Sequence, residues 1–219
     1  MSVTVFLTGA TGFLGSHIAD YLLKQEHSII ATRRKSSNNK SCLKLQDKIE
    51  WVNVDDANWE NDILQAEPEL FIHAAWAGTS YDGRSDWDLQ LDNYLFSKKI
   101  FEIAEKVQAQ KVIAFGSQSE YGIKNEPADE ETCTDPADAY GAFKVLTSCI
   151  LRNMFNESGT EWYWLRLYSV FGDNENPNSL VSTVINKMLN GESIELTLCE
   201  QRYNYIHIDS LLPHVYSVL

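Results

Sequence analysis

The glycine-rich part of this sequence is Thr8-Gly9-Ala10-Thr11-Gly12-Phe13-Leu14-Gly15. It follows the apolar residues Val3, Val5, Phe6 and Leu7, which predict a buried β-strand. It leads into a segment that carries apolar residues at helical spacing. These residues are Phe13, Leu14, Ile18, Tyr21 and Leu22. A strand, a glycine turn and a helix in this order are typical of a site that binds a dinucleotide.

The three glycines have separate roles in such a site. Gly9 allows a tight turn, Gly12 lets a pyrophosphate approach the backbone, and Gly15 lets the helix pack closely. The start of the helix offers free N–H groups and the positive end of its dipole to the phosphates. The spacing is G-x-x-G-x-x-G and not the commoner G-x-G-x-x-G, so a plain structural turn remains the alternative. The predicted cofactor contacts of this turn are Gly9, Thr11, Gly12, Phe13, Leu14 and Gly15.

Composition restricts the class of protein. The chain has 219 residues and a formal net charge of −13, which disfavours binding to nucleic acid or to an anionic membrane. Its four cysteines include no C-x-x-C pair and its five histidines are scattered, so we predict neither a disulfide framework nor a metal site. The start of the chain lacks the pattern of a signal peptide, and we expect a cytoplasmic protein.

Predicted strands and helices alternate along the chain. The predicted strands lie at residues 3–7, 28–32, 51–54, 70–73, 111–115 and 162–167, and the predicted helices follow the glycine turn and lie at 58–66, 87–107 and about 139–156. Short strands that are apolar on both faces predict an α/β fold, a Rossmann-like, doubly wound parallel sheet covered by helices. Ligands of such sheets bind at the carboxyl ends of the strands. Polar or glycine residues stand at these ends: Gly9, Arg33, Asp55, His73 and Ser117.

The pattern loosens after Gly172. We therefore predict a dinucleotide-binding domain at residues 1–172 and the start of a smaller substrate-binding lobe at residues 173–219. In this lobe we expect a helix near residues 180–189, a strand near 194–198 and a helix from residue 208 onward. Two explanations of its small size remain open, namely a truncated chain or an unusually small lobe.

Tyr140 and Lys144 are four residues apart on a predicted helix, so their side chains share one face. A nearby cation favours the phenolate and suits a tyrosine to general acid/base chemistry. Ser117, at the end of a predicted strand, is well placed to hydrogen-bond a reacting oxygen. We predict that these three residues are catalytic. The alternative is a surface tyrosine beside a solvated lysine.

Taken together, these motifs resemble the extended short-chain dehydrogenase/reductases, in particular the NAD-dependent epimerase/dehydratase family that acts on nucleotide sugars. The resemblance extends along essentially the whole chain. The matching segments are residues 8–15, 71–75, 117–122, 165–172 and 202–209, together with Asn93, Tyr140 and Lys144.

The resemblance implies further site residues. The implied cofactor contacts are Asp55 with Asp56, His73, Ala74, Ala75, Asn93, Tyr140 and Lys144. The implied substrate contacts are Trp76, Ser119, Ser169 and Arg202. Core packing or anchoring of a loop remains the alternative role for Trp76. Relatives often dimerise through a four-helix contact, so the resemblance also implies a homodimer.

Departures from the family pattern narrow the function. Arg33 stands where NAD-binding relatives often carry an acid, and a guanidinium pairs well with a 2′-phosphate, so we favour NADP over NAD. The alternative is a solvated basic loop. Gln118 and Ser119 replace the Asp-Glu pair that dehydratases use, which disfavours a 4,6-dehydratase. Ser169 replaces the usual asparagine near the substrate and leaves the sugar open.

We therefore expect an NAD(P)-dependent nucleotide-sugar epimerase or 4-ketoreductase. The nucleotide-diphospho-sugar would exchange a hydride at a sugar carbon with the nicotinamide, and Tyr140 would act as the acid/base. The alternative is a module that binds the dinucleotide without catalysis, as a sensor or scaffold.

Overall fold

A computed structural model describes residues 2–219 of the chain. Contacts divide these residues into two compact units, residues 2–167 together with Leu219, and Tyr168–Val218. The predicted domain boundary after residue 172 stays a prediction, because a division by contacts does not test which parts fold independently.

The first unit is built on a six-stranded sheet, and every strand pair in it is parallel. Its strands are β1 (Thr4–Thr8), β2 (Ser28–Arg33), β3 (Glu50–Asn53), β4 (Leu70–His73), β5 (Lys111–Ser117) and β6 (Glu161–Leu167). Their order is β3-β2-β1-β4-β5-β6. Strands β2 and β3 therefore lie on one side of β1, and β4, β5 and β6 lie on its other side. This is the topology of a Rossmann-like, doubly wound sheet, and the predicted fold class is confirmed.

Helices cover this sheet. They are α1 (Phe13–Lys24), α2 (Trp59–Ala66), the short α3 (Tyr81–Arg84), α4 (Trp87–Lys106) and α5 (Ala139–Phe155). Helix α1 contacts β1 and β2, whereas α4 contacts β4 and packs along α5. The polar segment between β5 and α5 contains only a short 3-10 helix at Gln118–Glu120, in agreement with the predicted surface loop.

The core explains why the strands read as continuous apolar runs. Phe6 and Phe71 are fully buried and pack with side chains of α2, α4 and α5. Val5 and Leu7 are also fully buried. Because successive side chains of a strand point to opposite faces, these two residues lie on the other face of the sheet from Phe6. Both faces are therefore covered.

The turn between β1 and α1 is packed too closely for side chains at two positions. Gly9 has φ +79°, and a Cβ there would lie 2.7 Å from the backbone of Ala74 and of Ala75. A Cβ on Gly15 would lie 2.2 Å from the carbonyl oxygen of Gly9. Glycine at residue 15 thus lets the first turn of α1 close onto the turn that precedes it.

The second unit contains two short parallel strands, β7 (Ser169–Phe171) and β8 (Tyr205–His207), and two helices, α6 (Leu180–Leu189) and α7 (Ile208–Ser217). Both helices agree with the predicted ones. The predicted strand near residues 194–198 is wrong, because residues 192–204 have neither helix nor strand. Leu196 and Leu198 are exposed there. Alternation of apolar residues makes a strand only where a neighbouring strand pairs with it.

Among the described residues, no helix combines the length and the apolar character that crossing a membrane requires.

Candidate active site

The glycine turn lies at the carboxyl end of β1. The N–H of Gly12 donates to the carbonyl oxygen of Gly9 at 2.9 Å, and Gly12 then forms the N-cap of α1. Within the described residues no side chain caps this helix start, and its first turn contains no acidic residue. The predicted contacts Thr11, Phe13 and Leu14 are half-buried around it. The first N–H groups of α1 therefore remain suitable partners for a phosphate.

His73, at the end of β4, joins three elements. Its Nδ1 lies 2.7 Å from the hydroxyl of Thr8 on β1, and its Nε2 lies 2.8 Å from the hydroxyl of Ser97 on α4. The hydroxyl of Thr8 also accepts a hydrogen bond from the N–H of Ala75 at 3.2 Å. Burial, and secondarily the charge of Lys144, lower the pKa of His73 to about 3. His73 is therefore neutral and holds the strand end in place.

The segment after β4 is held by two amides of α4. Asn93 pairs with the N–H and with the C=O of Ala77, at 2.8 and 2.9 Å. Gln90 is fully buried, and its Oε1 accepts from the indole N–H of Trp76 at 2.8 Å. Asn93 and Trp76 thus lie together at the predicted site, and the amide of Asn93 orders the backbone there.

Arg33, at the end of β2, has a fixed guanidinium group. Its Nε donates to Asn53 at 3.3 Å, its Nη1 donates to Gln46 at 3.1 Å, and the group lies 5.2 Å from the centre of the Trp51 ring. Arg34, the next residue, is exposed. The basic loop therefore presents one anchored and one solvated arginine beside the carboxyl end of β1.

Asp55 and Asp56 follow β3 and contact the same loop. The carboxylate of Asp55 accepts from the backbone N–H of Lys35 at 2.6 Å, and Asp56 forms an exposed ion pair with Lys35 Nζ at 2.8 Å. A hydrogen bond from Lys35 is the main cause that lowers the pKa of Asp56. Both acids therefore shape the loop after β2, and their contact with an adenine stays a prediction.

Lys144 lies one helical turn after Tyr140 on α5, and only 5 % of it is exposed. Its Nζ donates to the carbonyl oxygen of Phe115 at 2.7 Å and lies 3.6 Å from the centre of the Trp76 ring. Burial lowers the pKa of Lys144 to about 7, and the charge of Glu120 opposes this effect. The alternative of a solvated lysine is therefore wrong.

Tyr140 is also buried, and its ring meets Trp76 edge to face at 6.1 Å. Burial raises the pKa of Tyr140 above its ordinary value. A hydrogen bond with Ser117 and the charge of Arg84 lower this pKa, whereas the charges of Glu120 and Asp138 raise it. Arg84 is thus one cation that favours the phenolate, and the same role of Lys144, whose Nζ lies 5.8 Å from the centre of the Tyr140 ring, stays a prediction.

Ser117 begins a capping box that fixes the end of β5. Its hydroxyl accepts from the N–H of Ser119 at 3.2 Å, and the carboxylate of Glu120 accepts from the N–H of Ser117 at 2.7 Å. Glu120 is fully buried and also accepts from Trp164 at 3.0 Å and from Arg166 at 2.8 Å. A buried carboxylate with these partners is charge-compensated and holds Ser117 rigidly.

The sequence analysis did not predict three charged residues around Tyr140, namely Arg84, Glu120 and Asp138. Two of them carried a local signal. The run from Ser117 to Glu120 is an S-x-x-E capping box, and Asp138 precedes a helix as a typical N-cap, where it accepts from the N–H of Gly141 at 2.7 Å. Arg84 carried no such signal, because only the fold brings it to Tyr140.

The predicted catalytic and substrate-binding residues fall into two groups. Ser117, Tyr140, Lys144, Trp76 and Ser119 lie together at the carboxyl ends of β4 and β5. Ser169, on β7, and Arg202, in the irregular segment before β8, belong to the second unit, and their role toward a substrate stays a prediction. Among residues 2–219, no cluster of three or more His, Cys, Asp or Glu side chains could hold a metal ion.

The fold and this site are those of an NAD(P)-dependent enzyme of the extended short-chain dehydrogenase/reductase type. The chain belongs to the NAD dependent epimerase/dehydratase family, whose model matches residues 5–216. The family resemblance that the motifs indicated is thereby confirmed.

Individual relatives are more distant. A putative UDP-glucose 4-epimerase of Methanocaldococcus jannaschii is 28% identical over 204 residues, which cover 86% of this chain and 64% of that protein. The chain thus spans about two thirds of the length of this relative. The structure is similar to UDP-glucose 4-epimerase of Thermotoga maritima with UDP-glucose (TM-score 0.85, 21% identity, 99% of this chain and 73% of that one). It is also similar to Bordetella bronchiseptica WbmH in complex with NAD+ (TM-score 0.80, 20% identity, 99% and 72%).

The buried, neutral His73 predicts a dependence of stability on pH. Its pKa is about 3 in the folded chain, so the unfolded chain takes up a proton near pH 6.5 that the folded chain does not. The contribution of neutral His73 to the free energy of unfolding is fully present above pH 6.5. It is lost as the pH falls toward 3, by about 1.4 kcal/mol per pH unit.

Urea unfolding between pH 4 and 8 measures this effect. In the variant His73→Gln, the free energy of unfolding should lose the part of its pH dependence that comes from His73. The difference in this free energy between the wild type and the variant should therefore shrink as the pH falls. The control His214→Gln, on α7, should behave as the wild type. Parallel pH profiles of the wild type and His73→Gln would contradict the prediction.

Proposed function

We propose that this chain transfers a hydride between a nicotinamide dinucleotide and a sugar carbon of a nucleotide-diphospho-sugar, with Tyr140 as the acid/base. One observation carries the proposal. Tyr140 and Lys144 are both buried one helical turn apart on α5, close to Ser117 at the carboxyl end of β5. Burial of a phenol and an amine is costly in a structural role, and it is common where their proton affinities are used.

The residues around the glycine turn fit a dinucleotide. A Cβ on Gly12 would meet one atom, the carbonyl oxygen of Gly9 at 3.3 Å, so the backbone is open to a phosphate on this side. The uncapped start of α1 supplies N–H donors, and Lys144 is suited to hold the nicotinamide ribose. The bound nicotinamide supplies hydride chemistry, and the chain supplies orientation and charge.

The proton step belongs to three side chains. Ser117 hydrogen-bonds the sugar oxygen and sets its direction toward Tyr140. The Tyr140 hydroxyl takes the proton from the sugar hydroxyl when the carbon is oxidised, and it returns a proton to the oxygen when the carbonyl is reduced. Lys144, with its lowered pKa, carries a charge that changes near neutral pH. Trp76 covers this ammonium group on one side and helps to exclude water.

A nucleotide sugar is the substrate class that the family favours. The solved relative from Thermotoga maritima contains UDP-glucose. In this chain, Trp76 and Ser119 lie beside Tyr140 and Ser117 and are proposed to contact the sugar. Gln118 and Ser119 occupy the positions where the family resemblance places a dehydratase acid pair. A 4,6-elimination would therefore lack its acid and base, which favours an epimerase or a 4-ketoreductase.

Replacing the phenol tests catalysis. Tyr140→Phe removes the proton donor and acceptor but keeps the ring between Trp76 and Arg84. We expect turnover of 4-keto or 4-hydroxy nucleotide sugars to fall at least about 100-fold, the usual contribution of a general acid/base. Dinucleotide binding measured by calorimetry should stay within about threefold of the wild type.

Tyr163→Phe, on β6, is the matched control and should keep full turnover. Equal rates for the wild type and Tyr140→Phe in every substrate assay would favour the second candidate, a dinucleotide-binding sensor or scaffold without catalysis.

We further propose that the chain prefers NADP to NAD. Asn53, Gln46 and Trp51 hold the guanidinium of Arg33 at the end of β2, and Arg34 adds a second positive charge nearby. The 2′-phosphate of NADP would gain a charge-assisted contact from these arginines. The free ribose hydroxyls of NAD would lack the carboxylate that accepts their hydrogen bonds in NAD-binding relatives, because Arg33 stands at that position. WbmH, a relative at 20% identity, was solved with NAD+, so the preference depends on these arginines and not on the family.

Arg33→Ala tests the cofactor preference. Because a charge-assisted contact contributes about 1.5–3 kcal/mol, we expect the dissociation constant for NADPH to rise at least about tenfold, and that for NADH to change little. Isothermal titration of both nucleotides into the wild type and the variant measures this. Arg152→Ala, near the end of α5, is the control for loss of one positive charge. Undiminished NADPH preference in Arg33→Ala would disprove the role of this arginine.

A homodimer is the third part of the proposal. Leu91 and Leu95 on α4 are 41% and 50% exposed, and Leu146 on α5 is 44% exposed, although α4 and α5 pack together. Trp87 extends the same row by one turn. An apolar stripe across two adjacent helices can be buried against its copy in a four-helix contact.

Charges in this stripe should break the dimer. We expect the wild type to show twice the chain mass by size-exclusion chromatography with light scattering, and Leu91→Glu/Leu95→Glu to be monomeric. Leu43→Glu changes a more exposed leucine, in the 3-10 helix before β3, and should remain dimeric. A monomeric wild type would contradict the proposal.

A further inference from the structure

Arg84 makes an unusual set of contacts for a residue in a four-residue helix. Its Nε donates to Asp138 Oδ2 at 2.9 Å, and its Nη2 donates to the hydroxyl of Ser119. Its guanidinium carbon lies 4.7 Å from the centre of the Tyr140 ring. One side chain thus joins the segment after β4 to the capping box after β5 and to the start of α5.

The anchors of Arg84 are themselves fixed. Asp138 is the N-cap of α5 and accepts from the N–H of Gly141, so it cannot follow a moving arginine without releasing the helix start. Ser119 accepts from the Ser117 hydroxyl at 3.2 Å, and Ser117 is fixed by its capping box with Glu120. Arg84 is therefore held across the face of the Tyr140 ring by two partners that are fixed themselves.

We propose that Arg84 is a positioning residue for Tyr140, which holds the phenol ring in its reactive orientation and favours the phenolate by the charge of its guanidinium group. The inference rests on the proposed function, because an orientation of Tyr140 matters only if Tyr140 moves protons. It assigns to Arg84 the electrostatic task that the sequence pattern suggested for Lys144.

The charged groups around Tyr140 show why a cation is needed at this place. Those facing it are Arg84 from the segment after β4, Glu120 from the capping box, Asp138 from the start of α5 and Lys144 one turn along α5. The two acids disfavour the phenolate, and burial disfavours it further. Lys144 Nζ lies 5.8 Å from the Tyr140 ring centre and donates to Phe115, whereas Arg84 lies on the ring face.

The test measures Tyr140 directly and needs neither substrate nor cofactor. The full chain is labelled with carbon-13 at the tyrosine Cζ atoms, and the signal of Tyr140 is the one absent from Tyr140→Phe. The ratio of tyrosinate to tyrosine is read at one alkaline pH in the wild type and in Arg84→Gln. We expect this ratio to fall about tenfold in Arg84→Gln, because an adjacent unit charge is lost.

Two further variants distinguish the effect of the charge of Arg84 from the effect of its packing. Arg84→Lys keeps the charge and should restore the ratio to within about threefold of the wild type. Arg84→Met replaces Arg84→Gln if the latter does not fold. Arg152→Gln removes one positive charge from the helix that carries Tyr140, about 18 Å from it along the axis, and should leave the ratio unchanged.

An unchanged ratio in Arg84→Gln or Arg84→Met would overturn the proposal, as would an equal fall in Arg84→Lys. Neither result would bear on whether Tyr140 is catalytic. That question is decided separately by the turnover of Tyr140→Phe, so the two proposals can fail independently.

Discussion

The close approach of the β1 turn to the end of β4 is the constraint on which the site depends. Gly9 lies so near Ala74 and Ala75 that no side chain fits between them, and Thr8 and His73 join the two strand ends by a buried hydrogen bond. Because β4 must stop beside this turn, the following segment starts at a fixed place. That segment then carries Trp76 onto Lys144 and Arg84 onto Tyr140.

Buried polar groups are otherwise expensive, and here nearly every one has a partner. Gln90 satisfies the indole of Trp76, Glu120 satisfies Ser117 and Arg166, and Lys144 donates to Phe115. This connected arrangement holds the proposed catalytic side chains in place before any ligand arrives. Rigid placement is what orientation of a substrate requires, and in the proposed reaction the sugar oxygen lies at hydrogen-bonding distance from Tyr140 and Ser117.

The electrostatics of the site combine opposing effects. Burial raises the pKa of Tyr140 and lowers that of Lys144, because it favours the neutral form of each group. Arg84 and Ser117 counter this for Tyr140, and Glu120 counters it for Lys144. Burial thus moves the pKa of Lys144 toward neutral pH and that of Tyr140 away from it, so that the phenolate of Tyr140 depends on the groups that favour it.

The sequence by itself determined the fold class, the glycine turn and the pairing of Tyr140 with Lys144. These features depend on local spacing, which strands and helices convert into shared faces. It failed where the answer depends on partners distant in the chain. The strand expected near residues 194–198 does not form, because alternating apolar residues need a neighbouring strand. Only the tertiary structure decided that Arg84 reaches Tyr140, because contacts across 56 positions of the chain arise from topology and leave no local pattern.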